Sequence, residues 1–216
     1  MAIQQMMMSP MNSIPTVIGQ AYGGGYYAGQ ISTTADGVAT HYLVVAPKTT
    51  GQIYGKVWGP INTSTGVTSI IDGPGNTAAL SALGAGYVAA VWCKSLNING
   101  YTDWYLPSRN EIAVLYYFLK PSTTLNATFS GYNSNAVSPQ PINTNYTTTN
   151  PAQTSSTIFR SGASNEAFLT GGYWSSTETD DSRAIEQVFS NGQVNNLGQT
   201  KNNNTTYTRA IRRVPV

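Results

Sequence analysis

The segment Gly100-Tyr101-Thr102-Asp103-Trp104-Tyr105-Leu106-Pro107-Ser108-Arg109-Asn110-Glu111 constrains this chain more than any other stretch. Pro107 has no amide proton to give a β-ladder, so an extended run that reaches it must stop there. Ser108 and Glu111 then form an S-x-x-E capping box, in which each side chain can satisfy the other residue's free backbone amide. Ile112, Leu115, Tyr116 and Leu119 follow at i, i+3, i+4 and i+7 and give the helix one apolar face. Pro121 ends it. A capped, amphipathic helix is therefore expected at the centre of the chain.

Around that helix, two further elements are expected to be helical. Asn76 can cap a short helix at Thr77 to Leu83, interrupted by Gly84 and Gly86. A second helix at about Tyr87 to Leu96 presents Val88, Val91, Trp92 and Leu96 at helical spacing. Residues 14 to 60 read as strands. Gly25 to Ser32 leads through Asp36-Gly37 into His41 to Ala46, a hairpin signal with a long connection, and Ile53 to Trp58 can add a third strand. The run Leu43-Val44-Val45-Ala46 suggests burial on both faces. Strands return at Tyr173 to Thr177 and at Arg183 to Ser190. An Asn191-Gly192 turn and a last strand near Tyr207 to Val214 follow.

From Pro121 to Phe159 there is no charged residue. So long a stretch without periodicity is a functional loop or disorder. Leu125, Phe129, Tyr132, Val137, Ile142 and Tyr146 can pin it as an ordered insertion.

Charge is scarce throughout. Asp, Glu, Lys and Arg make up 9% of the 216 residues, and Asn, Thr, Ser, Gly and Tyr fill the gap. That palette is shared with antibody paratopes, where Tyr supplies rigid contact area and small polar residues supply adaptable hydrogen bonds. A polar structural shell has the same composition. No run reaches the ~18 apolar residues of a spanning helix, and Met1 to Met11 lacks the charge and apolar core of a secretory signal. A net charge of +2 is too small for a nucleic-acid footprint. Cys93 is the only cysteine, which rules out an intrachain disulfide, and its apolar neighbours predict a buried thiol.

The order G-x-x-D-W-x-L-P-[ST]-x-x-E (100–111), then Trp174-Ser175-Ser176-Thr177, then Arg209-Ala210-Ile211-Arg212, resembles the C-type-lectin-like family named after the Legionella collagen-like adhesin. The resemblance covers roughly residues 86 to 216. It implies an α+β fold, a C-type-lectin-like domain with two main helices packed on antiparallel sheets, here preceded by an N-terminal β-rich attachment segment. Trp104, Leu106, Pro107, Ser108, Glu111, Trp174, Arg209 and Arg212 become structural motif residues. Arg209 and Arg212, three apart on a strand, point to opposite faces, with Asp103 and Glu111 as candidate partners. The expected division is a 1–20 arm, a 21–75 attachment and oligomerisation segment, and a 76–216 lectin-like domain with an insertion at about 121–170.

The resemblance also extends loosely, through Gly23-Gly24-Gly25 and Val45-Ala46-Pro47-Lys48, to phage-encoded relatives. It implies a bacteriophage virion protein on a tail, collar or head fibre. Such a protein would be trimeric, attached to other virion proteins through its N-terminal segment and bound to a bacterial surface glycan or protein. A purely structural virion role is the alternative, and an exported bacterial adhesin is a third. No enzyme, cofactor or metal is expected. His41 has no visible triad partners, and the glycines fit neither G-x-G-x-x-G nor a P-loop. Those glycines instead suit a tight bend or a close backbone approach. The acidic cluster Glu178, Asp180, Asp181 reads as a solvated turn, with a weak cation site or a glycosidase pair as the sharper alternatives. The Asn-rich stretch Gln193 to Tyr207 is the candidate recognition surface, with Tyr173, Asn195, Asn196, Lys201, Asn203 and Tyr207 as ligand contacts. A solvated hairpin tip is the other reading of that stretch.

Overall fold

A computed structural model of the chain describes residues 14–162, 166–194 and 197–216. The order is β1 (Ala21–Tyr22), β2 (Gly25–Ile31), β3 (His41–Val45), α1 (Lys48–Gly51), β4 (Gln52–Tyr54), α2 (Gly73–Ala82), α3 (Val88–Lys94), α4 (Arg109–Leu119), β5 (Gly172–Glu178), β6 (Arg183–Val188), β7 (Gln199–Thr200), β8 (Tyr207–Arg209) and β9 (Ile211–Pro215). A 3₁₀ turn at Thr157–Phe159 lies between α4 and β5. The fold is mixed α+β. Its described strands form a four-stranded sheet, β1-β2-β3-β9, and a five-stranded sheet, β4-β8-β5-β6-β7.

The expected last strand is two strands in two sheets. β8 pairs with β4 and β5, whereas β9 runs antiparallel to β3 from Val45↔Ile211 to His41↔Pro215. The chain changes sheets at Ala210, whose amide donates to Gly51 and whose carbonyl accepts from Ala46. Tyr105 is bridged to Ile211 by a reciprocal pair of backbone bonds, which docks the corner before α4 against the same crossover. Likewise β4, the expected third strand of the first sheet, belongs to the second.

That pairing joins strands from both sides of the expected boundary at residue 75. β3 lies inside the first sheet with the C-terminal strand at its side. Ala28, Ile31, Leu43 and Val45 share one core with Leu115, Leu119 and Ile211. Residues of the 21–75 segment thus contribute to the same core as the C-terminal part. Most of the expected arm, residues 1–13, lies outside the described residues. Leu43, Val44, Val45 and Ala46 are fully buried, as their unbroken apolar run predicts.

α4 forms as its sequence dictates. Its capping box is present, with the Ser108 amide donating to Glu111 Oε2 at 2.7 Å, and Ile112, Leu115, Tyr116 and Leu119 face the core. α2 starts earlier than expected, because Asp72 and not Asn76 caps it: Gly75 N–H donates to Asp72 Oδ1 at 3.1 Å. Asn76 lies inside the helix and donates to Ser69 O and Ser176 Oγ. α3 turns the opposite face inward from the one expected. Ala89, Ala90 and Cys93 are fully buried, while Val88, Val91 and Trp92 are only half-buried. Small side chains let this helix approach its neighbours closely, and close packing decides the face.

The insertion is pinned by fewer residues than expected. Val137 and Tyr146 are buried, but Leu125, Phe129, Tyr132 and Ile142 are exposed. It also has a polar anchor. Asn126 Oδ1 accepts from both Tyr116 Oη and Lys120 Nζ at 2.7 Å, and Asn126 Nδ2 donates to Thr147 O and Pro151 O.

Candidate functional site: an exposed tyrosine stack beside the late loop

The motif residues are structural. Trp104 and Trp174 share a core with Leu106 and Trp58. Their indole N–H groups donate to Tyr101 O and Lys56 O at 3.0 Å. Ser176 N–H donates to Pro107 O, joining β5 to the corner before α4.

The C-terminal arginines each find their own acidic partner. Arg209 Nη2 meets Glu166 Oε2 at 2.9 Å and its Nε donates to Ala46 O. Burial pushes the Arg209 pKa down to about 10, with Glu166 the main group opposing that shift. Arg212 forks onto Asp103, with Nε–Oδ1 at 2.6 Å and Nη2–Oδ2 at 2.8 Å. Glu111 pairs instead with Arg213, at 2.6 Å. Glu166 did not stand out in the sequence, and Arg213 stood out only as one of the three terminal arginines.

The six expected ligand contacts divide. Asn195 and Asn196 lie outside the described residues. Tyr173 is fully buried, donating to Gln52 Oε1 and accepting from the Leu169 amide. Lys201 is also fully buried. Its ammonium pairs with Glu178 and donates to Thr63 O and Asp181 O. Neither side chain is on a surface that a ligand can reach. Asn203 and Tyr207 remain partly open.

Tyr54 supplies what the sequence reading missed. It ends β4, the edge strand of the second sheet, and the residue is 54% exposed. The ring lies 4.7 Å from Tyr207, which stacks on Tyr173 at 5.1 Å. Tyr173 in turn packs on Phe168 and Phe189. An aromatic ladder therefore runs from the core to an open ring. Gly55, at φ +77°, turns the chain beside it, and its amide donates to Thr206 O. Asn203 Oδ1 accepts from the Thr205 amide and hydroxyl, which fixes the loop next to the ladder. Asn204 and Thr205 are exposed there. A rigid ring flanked by amides and hydroxyls can stack on a sugar face and bond its hydroxyls.

Other candidate centres are occupied by structure. Glu178 turns inward to Lys201 and accepts from the Thr65 and Gly66 amides, so it does not join Asp180 and Asp181. Among the described residues, no group of three or more His, Cys, Asp or Glu side chains is placed to hold a metal ion. His41 Nδ1 lies 2.9 Å from Thr40 Oγ1, and burial lowers its pKa. Gly23 and Gly24, both at positive φ, form the two-residue turn between β1 and β2. A Cβ on Gly25 would lie 2.2 Å from Val45 O, so this glycine serves a close approach within the chain. No helix of the described residues is long and apolar enough to cross a membrane. Comparison with family models, curated proteins and solved structures finds no match.

Proposed function

We propose that this chain is a bacteriophage virion protein that displays a C-type-lectin-like domain and recognises a bacterial surface receptor, acting by binding and not by catalysis. The observation that carries the binding reading is the open Tyr54 ring, packed on Tyr207 next to the loop that carries Asn203, Asn204 and Thr205. A pre-ordered aromatic loses little entropy on contact, and neighbouring amides and hydroxyls suit a glycan. The lectin-like part of the reading rests on the three ordered motifs, and the virion part on the looser likeness of Gly23-Gly24-Gly25 and Val45-Ala46-Pro47-Lys48 to phage-encoded relatives. Ion pairing commits Asp103, Glu111, Glu166 and Glu178 to structural contacts, which supports binding over catalysis. Trimeric display would give weak individual sites avidity.

One observation favours a second reading, a structural virion component. Leu125, Phe129, Tyr132 and Ile142 are exposed on a segment without charge, as a surface covered in an assembly would be. A pull-down with intact host cells, before and after enzymatic removal of surface polysaccharide, separates the two. Saturable binding that is lost on stripping supports glycan recognition. No binding by the folded protein assigns it to the structural role.

A further inference from the structure

Lys120 follows α4, is 2% exposed, and differs from the other deeply placed cations. Lys201, Arg209, Arg212 and Arg213 each have a carboxylate partner. Lys120 has none, although all the acidic residues of the chain fall within the described residues. Its ammonium donates to Asn126 Oδ1 at 2.7 Å and Pro151 O at 3.2 Å, both neutral acceptors. A desolvated cation without a counter-charge is a costly arrangement, and an incoming anion relieves it. Lys120 also lines a concavity of about 140 Å³ with Thr123, Leu125, Thr148, Thr149 and Gln153. The three threonines are exposed, and their hydroxyls make no hydrogen bond among the described residues. Leu125, 60% exposed, adds an apolar wall.

We propose that this concavity binds one carboxylate-bearing sugar residue of an acidic surface glycan. The carboxylate would lie toward Lys120, the ring hydroxyls toward the threonines and a C–H face against Leu125. A fixed cation in a poorly solvated wall supplies charge selectivity, and unpaired hydroxyls supply recognition of a polyol. This deepens the receptor reading and rests on it for the source of the ligand, but the pocket can be tested without cells.

The test is an amide-resolved NMR titration of the ¹⁵N-labelled full chain with sodium glucuronate and with glucose, at constant ionic strength. Glucuronate should shift the amides of Thr148, Thr149 and Gln153 in a saturable way, with glucose at least tenfold weaker. Thr149→Trp places a bulky ring at the exposed rim of the concavity and leaves Lys120 in the sequence, and it should abolish the shifts. Lys120→Met should do the same where it folds. Equal responses to the two sugars, no response from the folded wild type, or an unchanged response in T149W would each overturn the proposal. Loss of cell binding with the glucuronate shifts intact would sink the receptor reading alone. Cell binding without those shifts would sink only this site.

Discussion

Lys201 and Glu178 form an ion pair closed to solvent on both sides, with side-chain exposures of 0% and 2%. The pair ties together three separate loops. Lys201 holds the carbonyls of Thr63 and Asp181, and Glu178 holds the amides of Thr65 and Gly66. Trp58 closes the site, its ring 5.1 Å from the ammonium. Lys201→Met would leave a buried carboxylate unpaired, which costs about 3–5 kcal/mol. Chemical denaturation should show a loss of that size. A loss under ~1 kcal/mol would mean that Glu178 is hydrated and the pair is not interior.

The same carboxylate sets an acid limit. Burial works to raise its pKa, but Lys201, the Thr65 amide and the Thr65 hydroxyl outweigh burial, and the net shift is downward. A carboxyl depressed in the folded state contributes stability that is fully present above its unfolded pKa and lost as pH falls through the folded one. Stability should therefore decline below the ordinary glutamate range, near pH ~4.3. In Glu178→Gln that part of the decline should vanish. A thermal-melt series across pH 3 to 7 reads both.

Glu186 behaves in the opposite sense. It is buried at the position paired with Trp174, and desolvation raises its pKa, only partly opposed by a hydrogen bond from Gln199. Its ionised form thus works against folding at neutral pH. Glu186→Gln should melt higher than the wild type at pH 7. The difference should shrink as pH falls toward the ordinary glutamate value and the native carboxyl takes up its proton. A variant that melts lower at pH 7 would show that the charge has an unseen partner.

Trp104 is 2% exposed and fills the core beside Leu106 and Trp174. Trp104→Ala should cost about 3–5 kcal/mol by equilibrium denaturation. A cost under ~1 kcal/mol would contradict its placement at the corner before α4.

Sequence exposed those parts of the fold whose causes are local. The α4 capping box and its apolar spacing lie within a dozen residues of each other, and both appear where expected. The burial of Leu43 to Ala46 follows from an apolar run with no polar face to offer. The sheet change at Ala210 could not be read, because strand propensity is continuous from Tyr207 to Val214 and only distant pairing partners divide it. α3 shows the limit of periodicity. Its large apolar side chains mark one face, but Ala89, Ala90 and Cys93 fit more closely and win the interior. Lys201 misled for a related reason. Its sequence neighbours are Asn and Thr, whereas its partner Glu178 lies 23 residues away. Tyr54 gave no signal, since nothing local shows that a strand edge will meet Tyr207.

Tyr54 is also the residue on which the central claim is tested most directly. Its exposed ring can be removed at little cost to the core, whereas Lys201→Ala would disturb the interior and say nothing about recognition. The measurement is host-cell adsorption of the folded wild type against a Tyr54→Ala variant with an unchanged melting temperature. The account predicts at least a tenfold loss of adsorption in the variant. Adsorption equal to that of the wild type would contradict the tyrosine stack as the recognition site.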